Sequence, residues 1–410
     1  MNSRKVVITG IGAITPIGNN IKEYWDGLYN AKNGINFIDR FNISKHKTKF
    51  ACALKKYKSS NFFNKKELKR LDRFSQYAII SSDEAIKDSK LDLKNENLEK
   101  IGVIWGTGIG GLESLESELF NYMKTSKFSP FFIPKIISDI AASHISIKYG
   151  FTGPNFSTVS SCASSTNAII NSFYLIKFGI VDIVISGGSE ASITCSGIGG
   201  FNAIKALSER NDLTSSRPFD KDRDGFVMGE GSGTIVLEEY NHAKLRKAKI
   251  YAEFLGSGMS SDAYHIISPH PNGKGMKLVM KNTLNDSGLK VNDIDYINLH
   301  GTSTKLGDLI EVESIIEVFK DSIYDISMSS IKSMTGHLLG ASGSIELIAS
   351  IFSICTQIIP PSINHFKYDA FFNERLNFTF NKPQKRVVNI ILSNTFGFGG
   401  RNCSIILKKF

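Results

Sequence analysis

Cysteine is scarce in this chain of 410 residues: there are five, an odd number. No two of them fall in a CxxC or other paired spacing. That excludes a disulfide framework and a zinc ribbon, and it points to a reducing compartment. Long apolar runs are also lacking. The longest, Leu347 to Ile359, is broken by Ser350, Ser353, Thr356 and Gln357, so no membrane span is expected. Met1 to Lys5 lead directly into the strand-like Val6-Val7-Ile8, which leaves no room for a signal peptide, and a cytoplasmic location is expected. Acidic residues are outnumbered, 39 against 49 Lys and Arg, for a net charge of +10.

Such an excess invites an acidic partner. Lysines crowd at Lys55, Lys56, Lys58, Lys65, Lys66 and Lys69, with Arg70 and Arg73 close behind, although a solvated basic face reads equally well. Tyr57, Phe62 and Phe63 interleave with them, yet no nucleic-acid-binding module accompanies the pattern, and nucleic acid is not expected as a partner.

What is present is ordinary for a soluble globular protein: 41% apolar and 21% charged residues. The length exceeds what one compact core usually organises, so two domains or two fused halves are expected. Short β runs alternate with amphipathic helices, the mark of α/β architecture. Strands are expected at Val6 to Thr9, Ile101 to Trp105, Asp182 to Ser186, Thr234 to Glu238, Ile294 to Leu299, Ile326 to Ile331, Val388 to Ser393 and Cys403 to Lys408. Helices are expected at Ile21 to Tyr29, Ile137 to Tyr149, Ser164 to Phe178, Leu309 to Phe319 and Gly343 to Cys355. A faint duplication shows: Asp182 to Ser186, the glycines of Gly229 to Gly233 and Thr234 to Glu238 echo Asn389 to Ser393, Gly397 to Gly400 and Cys403 to Lys408. The halves are expected to be 1–249 and 250–410, joined near the charged stretch Asn241 to Lys249.

Cys162 stands in Ser160-Ser161-Cys162-Ala163-Ser164-Ser165, immediately before an apolar-periodic stretch. A thiol at a helix start faces converging backbone N–H groups and the positive dipole end, which favour the thiolate and lower its pKa. A small buried hydrophobe is the alternative reading. His300 opens His300-Gly301-Thr302-Ser303-Thr304 after a strand, and His337 closes Lys332-Ser333-Met334-Thr335-Gly336-His337. Catalytic groups of α/β folds gather beyond the carboxyl ends of strands, so these histidines are candidates to share a pocket with the cysteine.

Two rival readings fail on spacing. Gly106 to Gly111 fits G-x-G-x-x-G, but the acidic second strand of a dinucleotide fold does not follow, and tight turns explain the glycines. Asp262, His265 and His270 match no metal-ligand pattern, and no metal is expected.

Taken together, the Cys162 run, the His300 and Lys332 to His337 segments, and Asn394-Thr395-Phe396-Gly397-Phe398-Gly399-Gly400 resemble the β-ketoacyl-acyl carrier protein synthases. Ser216 to Asp220 and Asp224 to Gly231 extend the resemblance over nearly the whole chain. Gly336 to Ala341 and the Gly106 to Gly111 turn are more similar to synthase II than to synthase I.

The resemblance implies a thiolase fold, two similar mixed-sheet halves flanked by helices, paired as a homodimer. It implies a fatty acid biosynthetic acyltransferase that performs a decarboxylative Claisen condensation with malonyl-acyl carrier protein. Cys162 accepts the acyl group, and His300 and His337 stabilise the enolate. Lys332 orders them together with Glu346, and the backbone N–H groups of Cys162 and Phe398 form an oxyanion hole. Thr302 and Thr304 match threonines that bind the pantetheine arm, and Phe396 matches a residue gating the acyl pocket. Lys65, Lys66, Lys69 and Arg70 are expected to dock the acidic carrier. The only cofactor-like group is the phosphopantetheine that the carrier brings. The alternatives are a non-catalytic chain-length-factor-like partner, although such partners lack the cysteine present here, and synthase I-type specificity. Ile267, Lys305 and Arg401 depart from the family pattern; the first puts one carrier-arm contact in doubt.

Overall fold

A computed structural model describes residues 4–410. Eleven strands form one mixed sheet: β1 (Val6–Ile14), β2 (Ile101–Gly106), β3 (Asn155–Thr158), β4 (Ile183–Glu190), β5 (Gly231–Glu239), β6 (Ala252–Ser261), β7 (Tyr296–Asn298), β8 (Ser327–Ser329), β9 (Asn377–Phe378), β10 (Ile390–Gly397) and β11 (Arg401–Lys408). Their order is β9-β8-β7-β10-β11-β6-β1-β5-β4-β2-β3. The pairing pattern is written twice. β3, β2 and β4 are mutually parallel neighbours, followed by antiparallel β5 and β1. Likewise β8, β7 and β10 are parallel neighbours, followed by antiparallel β11 and β6. The two patterns meet at a short seam where Val6, Val7 and Ile8 of β1 face Phe254, Glu253 and Ala252 of β6.

Two helices fill the space between the halves, α1 (Ser164–Lys177) and α2 (Ser342–Thr356). Ala168, Ile169 and Phe173 of the first join Ile345, Ile348 and Ile351 of the second in one core cluster with Val6, Ile8 and Ile405. Sealing a helix on all sides requires an apolar surface all round, which is why its sequence shows no polar stripe. That burial corrects the reading of apolar runs. Leu339–Thr356 is, by length and composition, a stretch able to cross a membrane, but 83% of it lies buried inside the molecule. Its serines turn inward and satisfy themselves locally: Ser350 Oγ donates to Glu346 O, and Ser353 Oγ to Ala349 O.

Each of these helices begins with the same device. A 3₁₀ turn at Ser161–Ala163 precedes α1 and another at Leu339–Ala341 precedes α2. The first residue of each is left-handed, Ser161 at φ 54° and Leu339 at φ 47°. Non-glycine residues adopt that conformation only under local compulsion, and such strain concentrates at functional sites.

The expected strands are all present, with shifted ends. β6, whose glycines and serines read as loop, lay outside the expected set. Its glycines are there because a helix, Lys274–Ser287, lies directly on the strand. A Cβ on Gly256 would meet Ser287 N at 2.6 Å, and one on Gly258 would meet Val279 O at 2.6 Å. The expected glycine-turn hairpin of the first half is also corrected: β4 and β5 do pair antiparallel, but an excursion from Ala191 to Glu230 separates them, and Gly231 and Gly233 lie within β5. The glycines permit close packing there, since a Cβ on Gly233 would meet Ile345 N at 3.0 Å.

Candidate active site

Cys162, His300 and His337 converge although they are far apart in the chain. Their sulfur and ring nitrogens lie within 4.8 Å of one another, all buried. The Cys162 Sγ to His337 Nε2 distance is 3.0 Å. Cys162 sits in the 3₁₀ turn before α1, His337 just ahead of the matching turn before α2, and His300 beyond β7. The two halves thus contribute one central turn each.

The environment corrects the expected thiolate. Cys162 is walled in, and burial pushes its thiol up to about 11; the Lys332 cation and the Phe398 N–H, which donates to the sulfur, pull the other way without prevailing. Cys162 therefore rests as a thiol, and its proton needs an acceptor when the sulfur attacks. His337 Nε2 is placed to take it.

Both imidazoles are neutral. Burial, Lys332 and His337 hold His300 well below the usual histidine range, and burial with Lys332 does the same to His337. Lys332 Nζ lies 3.2 Å from His300 Nδ1. An ammonium only donates, so His300 accepts at Nδ1 and carries its own proton on Nε2, as a fixed N–H donor. His337 Nδ1 lies 2.7 Å from Ser342 Oγ. A hydroxyl donates or accepts, so Ser342 supports either tautomer of His337.

Lys332 is buried, 1% exposed, and ion-paired with Glu346. Burial raises the Glu346 carboxyl while Lys332 draws it down. The backbone beyond His300 is pinned by Glu311, whose carboxyl accepts from His300 N and Gly301 N, both at 2.7 Å. Burial pushes Glu311 up to about 8 against those two bonds.

A cavity of about 310 Å³ opens on the trio and is lined also by Thr302, Thr304, Phe396, Phe398, Ile267 and Ile109. The Thr302 and Thr304 hydroxyls bond each other at 3.0 Å. Phe396 is buried with its ring 6.0 Å from that of His300, while Phe398 packs 6.3 Å from Phe201. Gly397 lets this strand end approach the nucleophile: a Cβ there would meet Cys162 N at 3.2 Å. Lys65, Lys66, Lys69 and Arg70 lie outside the cavity lining, on an exposed segment where Arg70 stacks over Phe131 at 5.3 Å.

The departures fall at tolerant places. Lys305 is the exposed first residue of helix Lys305–Phe319, where proline is favoured but not required. Arg401 Nη1 donates to Ser161 Oγ at 3.1 Å, beside Cys162. Ile267 lines the cavity, and its N–H donates to His265 Nδ1 at 3.1 Å. His265 and His270 serve the turns of their own loop.

Sequence reasoning missed Glu311 and Ser342, and weighed Asp262 only as a metal ligand. Asp262 bridges two loops at the cavity, accepting from His270 N at 3.0 Å and from Asn402 Nδ2 at 2.8 Å. Glu311 had left a trace: with Asp308 it forms an acidic pair three residues apart on the buried face of its helix, where the remaining acidic residues, Glu313 and Glu317, face outward.

Comparison with known proteins agrees with this geometry. Residues 3–243 match the model "Beta-ketoacyl synthase, N-terminal domain" and residues 251–366 match "Beta-ketoacyl synthase, C-terminal domain". A curated relative from Synechocystis sp., named 3-oxoacyl-[acyl-carrier-protein] synthase 2, is 45% identical over 100% of this chain and 99% of its own length. A crystal structure of a beta-ketoacyl synthase from Burkholderia phymatum superposes with TM-score 0.91 at 30% identity, covering 99% of this chain and 100% of that one. A type II PKS acyl-carrier protein in complex with its ketosynthase gives TM-score 0.87 at 29% identity, covering 100% of both chains.

Because burial keeps Cys162 protonated, its alkylation by iodoacetamide is expected to rise about tenfold per pH unit from neutrality towards pH 11. A plateau near pH 7, read by mass spectrometry of the Cys162 adduct, would contradict the thiol resting state.

Proposed function

The chain belongs to the β-ketoacyl synthase family, and on that premise we propose that it condenses a Cys162-bound acyl group with malonyl-acyl carrier protein, losing CO₂. It is thereby a 3-oxoacyl-[acyl-carrier-protein] synthase of fatty acid biosynthesis. The observation that carries the reading is the 3.0 Å contact between Cys162 Sγ and His337 Nε2, beside a His300 held as an N–H donor.

In the first step the Cys162 sulfur attacks the acyl thioester, and its proton passes to His337 and on to the departing pantetheine thiolate. Dividing one hard condensation into two transfers is the use of a covalent intermediate. In the second step the malonyl thioester loses CO₂, and negative charge grows on its carbonyl oxygen. His300 Nε2–H faces that charge, and His337 adds a second N–H when Ser342 donates to its Nδ1. One such donor is worth about 3 kcal/mol in comparable sites. The carbanion attacks the acyl carbonyl, whose oxygen gathers charge beside the N–H groups of Cys162 and Phe398. Collapse expels the Cys162 thiolate, which takes up a proton from water, relayed by His337. The sequence needs no resident cofactor, because the pantetheine arm arrives on the carrier and meets Thr302 and Thr304.

Three further readings attach to this one. The carrier docks on Lys65, Lys66, Lys69 and Arg70, a basic exposed segment suited to steering an acidic protein. The protein works as a homodimer in the cytoplasm. Support for the dimer comes from β3, an edge strand with Phe156 39% exposed. Near it in the sequence lie exposed Phe120, Met123, Ile133 and Val159, a set that stays uncovered in one copy. Apolar faces and open strand edges of this kind mark interaction sites.

Purified protein given acyl-carriers of graded length plus malonyl-carrier is expected to show an acyl adduct on Cys162 and a β-ketoacyl product. Cys162→Gln is expected to abolish condensation while malonyl-carrier is still decarboxylated. The absence of both adduct and product would sink the assignment. Reversing Lys65, Lys66 and Lys69 to Glu is expected to raise the Michaelis constant for the carrier substrate roughly tenfold at low salt, with little change in turnover; an unchanged constant would move the docking site elsewhere. Sedimentation is expected to give twice the chain mass, and Phe156→Asp to shift it towards the monomer, whereas a monomeric parent would refute the dimer.

A further inference from the structure

Glu190 ends β4 and is fully buried, 0% exposed. Its carboxylate accepts from Gly108 N at 2.7 Å, Gly340 N at 3.0 Å and Ile109 N at 3.3 Å, with Ser192 Oγ at 3.2 Å and Thr107 Oγ1 at 3.3 Å. Every one of these partners is neutral. A buried carboxylate without a cation is costly unless its bonds are well made, so five donors, four of them from two loops distant in the chain, signal a constraint, not an accident.

The two loops it joins are the walls of the cavity. Ile109 lies on one and Leu339 on the other, and both line the space beside Cys162. They touch backbone to backbone: a Cβ on Gly340 would lie 2.1 Å from Gly108 N, and one on Gly108 would lie 2.8 Å from Glu190 Oε2. By contrast, the groups that hold the histidines are separate. His300 hangs on Glu311 and Lys332, and His337 on Ser342 and on Val227, whose carbonyl accepts from His337 N at 2.8 Å.

We infer that Glu190 is a positioning residue for the acyl group: by tying the Gly108–Ile109 wall to the Gly340 turn it limits the length of acyl chain the site accepts. This rests on the condensing activity proposed above. In Glu190→Gln the amide has one acceptor oxygen, and its NH₂ opposes N–H donors, so the wall is released while the side-chain volume is kept.

The test measures transfer of short and long acyl chains from carrier to Cys162, with malonyl-carrier decarboxylation followed in the same preparations and folding checked by thermal melting. Glu190→Gln is expected to raise the long-to-short transfer ratio about tenfold, the scale of one lost buried hydrogen bond, with decarboxylation changed far less. Ser192→Ala, which removes one of the five donors, is expected to move the ratio in the same direction by less, and it carries the test if Glu190→Gln does not fold. An unchanged ratio, or a parallel fall at every length together with decarboxylation, would overturn the inference while the parent remains active. A parent that transfers no acyl group at any length would overturn the condensing assignment and this inference with it.

Discussion

Lys332 is the constraint on which the site depends. It is a cation held almost entirely out of water, tolerable there because Glu346 pairs with it. From that position it does three things at once. Its donated hydrogen bond fixes the tautomer of His300, its charge adds to burial in holding both resting imidazoles neutral, and the same charge eases the Cys162 thiol downward against burial. Removing the charge would leave Glu346 unpaired in the core and the His300 tautomer undetermined. The pair therefore trades stability that an apolar substitute would supply for a defined arrangement of protons, which is the commodity an enolate-forming site requires.

Burial is the other side of the same arrangement. The helix following His337 has no polar face because it is enclosed between two half-sheets; of the residues it carries into the core, Ser342 bonds His337 and Glu346 meets Lys332 through one carboxyl oxygen, its other oxygen being buried without a partner. The constellation is thus mounted on the buried centre of the molecule, while the segments around Ile267 and Phe398 line the cavity nearer the surface.

Much of this was legible in the chain. Cys162, His300 and His337 stand next to strand or helix ends, and periodicity locates those ends within a few residues. Lys332 was found only through the family resemblance, since a lysine after a strand reads equally well as solvated. Glu190 was silent because the N–H groups it accepts from, on Gly108 and Gly340, lie far away in sequence, whereas Ser342 and Glu311 bond nearer neighbours, His337 and His300, whose approach no periodicity reports. Helix Arg73–Ser89 was missed for a different reason: twelve of its side chains are buried, serines among them, so no clean stripe distinguishes it. The thiolate expected at Cys162 failed because a local argument about a helix start was outweighed by tertiary desolvation.

The repeated turn before each central helix has a consequence for how one chain came to hold a single nucleophile. Superposing the two halves by their strand pairings sets Cys162 against Gly340, and Glu190, the last residue of β4, against Gly397, the last of β10. In the first pairing the thiol has no counterpart, since Gly108 leaves no room for a side chain at Gly340. In the second, the amide mated to that of Cys162 is already occupied by the protein's own carboxylate. Where the opposite half carries only a glycine hydrogen, the equivalent niche is open to an oxygen from outside. One niche of the pair is filled from within by Glu190, and no side chain of the protein fills its twin at Cys162.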